Sequence, residues 1–210
     1  MSKALCCWAF ECLLNRLVPD SDPVTFSTYF KKLNESVSDL PLKSPLFVTW
    51  NKNHDLRGCI GTFRSLPLES GTKQFALTAA LQDTRFSPIK TSELESLEAS
   101  ITLLDDFRKI ETCTDWQIGK HGLQLSFTYD EEYFSGTFLP QVAEEQKWDK
   151  VTTLYYLLKK ADFRGVGLKA VVEFYNKGLR EGWLDLQRYD GLKESCSYDE
   201  FMKIRHSIKD

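Results

Sequence analysis

A chain of 210 residues with 42% apolar and 27% charged side chains suits one globular domain, or one domain with a small second lobe, with enough length for a full core. Its net charge of −3 argues against a bulk electrostatic grip on nucleic acid, which needs a basic face, and leaves room only for a local basic patch. No stretch approaches the roughly 18 apolar residues of a membrane span, and six cysteines without CxxC or HxxxH spacing suggest neither a disulfide framework nor a zinc site.

Leu5, Trp8, Ala9, Cys12 and Leu13 recur at helical spacing, which predicts an amphipathic helix ending before Pro19. Cys6, Cys7 and Cys12 on it read as packing residues. The apolar run Leu5 to Phe10 is too short for a signal-peptide core, so the expected home is cytoplasmic and/or nuclear, with free thiols. Pro19 to Pro23 is a polar break, and Phe26, Tyr29, Phe30 and Leu33 suggest a second short helix. Leu46 to Trp50 is a strand by composition. Asn51 to Asp55 is rich in turn residues, and His54 reads there as a solvated loop residue. A second strand follows, completing a β-hairpin.

That second strand, Leu56 to Phe63, combines a cation, a thiol and two glycines. Strict alternation points Leu56, Ile60 and Thr62 one way, with Gly58 bare between them, and Arg57, Cys59 and Phe63 the other, with Gly61 bare beside the thiol. Arg57 and Cys59 are then same-face neighbours about 7 Å apart. A guanidinium beside a thiol favours the thiolate, the nucleophilic form. Glycines in a strand mark close approach of another group.

Pro67 to Gly71 breaks the chain, and Phe75, Ala76, Ala79 and Ala80 predict a small-residue helix face reaching Asp83. Asp83 and Arg85 form either a surface ion pair or a ligand-orienting pair. Leu97 to Leu104 alternates as a strand, and Asp115 to Lys120 is short and amphipathic. His121 opens another strand, placed as a histidine suited to proton transfer. Tyr129 to Glu132 is an acidic turn, Phe134 to Leu139 a strand stopped by Pro140, and Thr152 to Ala161 a helix. Leu168 to Tyr175 reads as β-rich. The domain is expected over 3–190, with 191–210 a polar, helical tail. Strands mixed with helices, without regular βαβ alternation, argue for α+β around a mostly antiparallel sheet.

The run LRGCIGTF resembles the hallmark of the AMMECR domain family. ALQDTRFSPIK, ELESLEASITLL, IGKHGLQLSF and GTFLPQVAEEQKWDK are similar to its further blocks, in order, over roughly residues 3–190. The tail RYDGLKESCSYDEF is similar to the eukaryotic branch. Asp162 stands where the family commonly has glycine, and LKAVVEFYNKGLREGW is a loose match. The resemblance implies an α+β fold with an antiparallel sheet, flanking helices and a smaller second lobe. It maps the family's most constant positions onto Leu56 to Gly61, with Asp83, Arg85, Phe86, His121 and Gly122 as further candidates. It implies no settled activity, and the cofactor is unknown. An association of microbial members with Memo-type and radical S-adenosylmethionine proteins implies a shared modification pathway.

Two classes of function follow. In a cleft enzyme, Cys59 is the nucleophile for group transfer, Arg57 the activating cation and His121 the base, with backbone N–H groups near Gly58 and Gly61 holding developing charge. In a binding module, Arg57 and Arg85 grip a carboxylate or phosphate, Gly58 and Gly61 admit the ligand, and Asp83 orients it. An adaptor presenting the hallmark to a protein is the remaining alternative. The expected partner is a small molecule or a protein, with no membrane.

Overall fold

Helix α1 (Lys3–Leu17) starts where the sequence supplies two caps. The Ser2 hydroxyl accepts the Leu5 N–H at 3.3 Å, and the Glu35 carboxylate accepts the Lys3 N–H at 3.0 Å, placing an anion at the positive end of the helix. The computed structural model describes residues 2–209. They fall into two compact units, one running to Leu103 and resuming at Leu192, the other Leu104–Gly191. The fold is α+β and antiparallel, with flanking helices. Among the described residues, no helix is long and apolar enough to cross a membrane.

In the first unit, strands β1 (Lys43–Lys52) and β2 (Asp55–Pro67) form the expected hairpin, and β1 also pairs with β3 (Leu97–Lys109). Asn53 and His54 both take positive φ, the hand that a two-residue hairpin turn needs to match strand twist. Trp50, Val48 and Leu46 are fully buried on one face of β1. The Trp50 indole donates to the Ala76 carbonyl of α3 (Leu68–Leu81) at 3.0 Å and meets Phe10 of α1 edge-on. Helix α1 is buried on nearly every side, not on one stripe as its spacing suggested. Helices α2 (Phe26–Lys32), α3 and α7 (Tyr198–Lys209) all contact it, and a helix so enclosed has no polar face to show.

The second unit holds β4 (His121–Tyr129), β5 (Glu132–Phe138), α4 (Pro140–Glu145), α5 (Lys150–Lys160), α6 (Val171–Glu181) and the first part of β6 (Leu184–Ser197). Its core gathers Leu123, Leu125, Phe127, Leu154, Leu157, Leu158 and Tyr175. The strand expected over Leu168 to Tyr175 is instead a short 3₁₀ turn followed by α6. Val171, Phe174, Tyr175 and Gly178 recur at helical spacing, and this periodicity outweighs the β propensity of the valines. Asp115 to Lys120 forms turns rather than a helix. Strand β6 was invisible in the sequence because its burial changes phase, Leu184 and Leu186 being followed by Tyr189.

The segment from Leu192 onward belongs to the first unit. It is tied in by a buried ion pair. Glu11 of α1 accepts Arg205 Nε of α7 at 2.8 Å, the Tyr29 hydroxyl of α2 at 2.5 Å and the Val24 N–H at 2.9 Å. Arg205 also donates to the Ser21 and Asp22 carbonyls. Burial, with the Glu11 carboxylate beside it, pushes the Tyr29 hydroxyl pKa far up. Replacing Glu11 by Met strands a buried guanidinium and is expected to cost about 3–5 kcal/mol. Urea denaturation is the measurement. The double variant Glu11→Met/Arg205→Met is expected to lose much less than the sum of the two single changes, since the two groups act as one.

Candidate functional site

Strand β2 stands at the end of the strand order, so one side of its backbone has no strand neighbour. Its pairing with β1 slips by one residue. Trp50 opposes Gly58 and Asn51 opposes Leu56, leaving Arg57 as the extra residue of a bulge. Bulges re-aim side chains, and strict alternation fails here. Arg57 donates from Nε and Nη2 to the two oxygens of Glu93, both at 3.1 Å, and from Nη1 to the Ser87 carbonyl at 2.7 Å. Arg57 and Glu93 are both largely buried, and Lys52 joins Glu93 at 2.9 Å. The Arg57 hydrogen bonds, helped by those from the Lys90 N–H and Lys52, bring the Glu93 pKa down to about 2 against the opposing effect of burial. The guanidinium expected to activate Cys59 is thus compensated by a carboxylate, and all three of its nitrogens have partners.

The two glycines make room for the chain itself. A Cβ on Gly58 would lie 2.1 Å from the Ala79 carbonyl oxygen of α3, and one on Gly61 would lie 2.3 Å from the Phe47 ring. Helix α3 packs against the bare strand at the first, and an aromatic ring at the second.

Cys59 lies opposite Thr49, on the face away from the one that Trp50 presents to α3. The Thr49 hydroxyl donates to its sulfur at 3.2 Å. Its backbone turns outward, to side chains in the loop after α3. The Cys59 N–H donates to Asp83 Oδ2 at 2.9 Å, and Arg85 Nη2 donates to the Cys59 carbonyl at 3.0 Å. Arg85 also grips Asp83 from Nε and Nη2 at 2.9 and 2.7 Å. The Arg85 hydrogen bonds, with the Cys59 N–H, hold the Asp83 carboxyl well below the usual carboxylate range although it is buried. The Arg85 pKa is raised, first by Asp83 and to a smaller degree by the Cys59 sulfur. Arg85 therefore meets Cys59 at its backbone carbonyl, whereas no hydrogen bond joins the Arg57 side chain to Cys59 among the described residues. Its side chain is 53% exposed, its Nη1 has no hydrogen bond among the described residues, and its guanidinium lies 5.4 Å from the Phe86 ring.

Arg57, Gly58, Cys59, Gly61, Asp83 and Arg85 thus come together in the first unit. Thr49, Ser87 and Glu93 join them unforeseen. The hairpin register without its bulge sets Thr49 opposite Gly58, and Glu93 lies in a polar 3₁₀ turn with no pattern to single it out. His121 belongs to the second unit. Its Nδ1 accepts the Gln117 N–H at 2.9 Å and its Nε2 lies 3.4 Å from Asp190. Burial, and then the charge of Arg188, lowers its pKa. Among the described residues, no group of three or more His, Cys, Asp or Glu side chains is placed to hold a metal ion.

These features define an α+β protein whose motif-bearing edge strand is locked to the loop after the next helix. The chain matches the AMMECR1 family over residues 6–177 and belongs to it. An uncharacterized Schizosaccharomyces pombe protein is 41% identical over 162 residues, covering 75% of this chain and 78% of that protein. An uncharacterized Arabidopsis thaliana protein is 39% identical over 165 residues, covering 75% and 73%. The crystal structure of an uncharacterized Pyrococcus horikoshii protein superposes with a TM-score of 0.65 at 22% identity, covering 91% of this chain and 89% of that one, a likeness of fold.

The Glu93 pKa sets a pH window. Its folded value of about 2 lies below the unfolded value of about 4.3. The native state therefore binds fewer protons across that interval, and stability rises with pH through it. The contribution, about 3 kcal/mol, is complete above about pH 5 and lost as pH falls towards the folded pKa. Urea denaturation across this range is expected to give a steep acid limb for the wild type and a shallower one for Glu93→Gln, which is also less stable at neutral pH.

Proposed function

We propose that Cys59 is the nucleophile of a group-transfer site, with Arg85 as the cation beside it. One observation carries this reading: Cys59 alone among the six cysteines is not buried. The remaining thiols sit in cores, and burial pushes the Cys12 thiol up to about 12 and the Cys6 and Cys113 thiols upward as well. A thiol with access, a hydroxyl donor and a nearby guanidinium is the environment in which cysteines react. The thiol proton passes to solvent, the sulfur forms a bond to an electrophilic carbon of acyl type, the leaving group departs with the electron pair of the bond that breaks, and a second acceptor then displaces the sulfur to take the group.

Arg57 positions rather than activates, fixing the bulge against Glu93 and Ser87. Asp83 orients both Arg85 and the Cys59 amide. That amide is therefore already engaged, and charge stabilisation falls to the Arg85 Nη1 donor. His121 belongs to the other unit and has its Nδ1 lone pair engaged by the Gln117 N–H, so it is given no role in this reading. A second reading, a binding module without chemistry, is favoured by the unspent Nη1 of Arg85. This donor suits a carboxylate or phosphate, and under either reading it holds the anionic part of the ligand.

Alkylation with iodoacetamide, mapped by mass spectrometry, separates the readings. Cys59 is expected to be modified first, and Arg85→Ala to slow that modification several-fold at neutral pH. A Cys59 that reacts no faster than a simple alkyl thiol removes the nucleophile. In that case an anion-binding role predicts that phosphate stabilises Cys59→Ala against heat but not Arg85→Ala.

A further inference from the structure

The acidic chain has a stretch of opposite sign whose charges are unpaired among the described residues. From Lys159 to Lys169 it carries four cations, Lys159, Lys160, Arg164 and Lys169, against one acid, Asp162. All four cations are exposed. None of them has an ion-pair partner among the described residues. Charges left free on a protein of net charge −3 are available to a partner.

Aromatic rings adjoin this stretch within the second unit. Trp148 and Tyr156 of α5 stack at 4.4 Å between centroids and 14° between planes. Phe138 extends the row from Trp148 at 5.7 Å and Tyr155 extends it from Tyr156 at 5.5 Å. Two of the cations are held on these rings: Lys159 Nζ is 4.4 Å from the Tyr155 centroid and 5.6 Å from that of Tyr156, and Lys160 Nζ is 5.3 Å from that of Phe138. Tyr156 is 37% exposed. A polyanion drawn to these lysines is brought over aromatic surface.

We propose that this face binds single-stranded nucleic acid, with phosphates on Lys159 and Lys160, added charge from Arg164 and Lys169 of the same stretch, and a base stacked at Tyr156. Cations pinned against rings, with stacking surface beside them, are what an unpaired strand requires, and every base has a π-face to offer. A duplex keeps its faces stacked internally and gains only the charge. The local patch is compatible with the acidic whole, since Debye screening at physiological salt confines each charge to about 8 Å. This inference is independent of Cys59.

The test is fluorescence anisotropy of the full chain with a labelled single-stranded oligouridine, against a duplex of equal length and against polyphosphate as competitor. The expected result is binding that weakens with salt at a log–log slope of up to about −0.7 per phosphate contact, so no steeper than about −3 for four. Tyr156→Ala is expected to weaken it by about 5- to 100-fold, and Lys159→Gln/Lys160→Gln to weaken it and flatten the salt slope. Cys59→Ala leaves it unchanged. No binding at low salt overturns the proposal. So does binding that Tyr156→Ala leaves intact, or binding no tighter for single strand than for duplex, either of which marks a site that takes any polyanion. Circular dichroism shows whether each variant is folded, and Tyr156→Phe, which keeps the ring, is expected to bind like the wild type.

Discussion

Two guanidinium–carboxylate pairs hold the hallmark strand in place, and the rest of the candidate site depends on them. Arg57 closes on Glu93, and Arg85 closes on Asp83, which in turn holds the Cys59 amide. Each pair joins β2 to the chain that follows α3. The helix between them is seated by Gly58, where a carbonyl of α3 occupies the space of a side chain. Separated in sequence, the LRGCIG and DTRFSP runs are one structural unit. Any chemistry at Cys59 therefore rests on a scaffold fixed by charge-assisted hydrogen bonds, which are stronger than neutral ones and stricter in geometry.

The same arrangement divides labour between the arginines. A guanidinium with all three nitrogens satisfied has little left to give a ligand or a thiol, and Arg57 is in that state. Arg85 spends Nε and Nη2 on the scaffold, and its Nη1 has no hydrogen bond among the described residues. Two residues of the same type, both in family blocks, thus differ in role because one sits in a bulge beside Glu93 and the other in an exposed loop.

Much of the fold was legible in the sequence. The hairpin, the helix after it and strands β3, β4 and β5 follow from period and turn chemistry, and the α+β class follows from their order. Where reading failed, a physical competitor explains it. Valine-rich helix α6 looked like a strand because propensity was weighed above spacing. Strand β6 was missed because its buried residues change face midway. In the candidate site, type and motif pointed to Cys59, Asp83 and Arg85, whereas the direction in which Arg57 turns was not legible. One bulged residue decides it, and a bulge leaves no mark in composition. Glu93 was missed for a related reason: a carboxylate in a polar turn is distinguished only by the partner that folding brings to it.

The outward side of β2 has a further consequence. Asp83 and Arg85 meet the Cys59 amide and carbonyl as a seventh strand would, filling one rung of the ladder with side chains. Farther along, Arg64 adds charge and Pro67 lacks an amide hydrogen, two devices by which natural sheets discourage another chain from adding on. The Asp83–Arg85 pair thus also occupies a rung at which an added strand would dock, which discourages edge-to-edge association at that point.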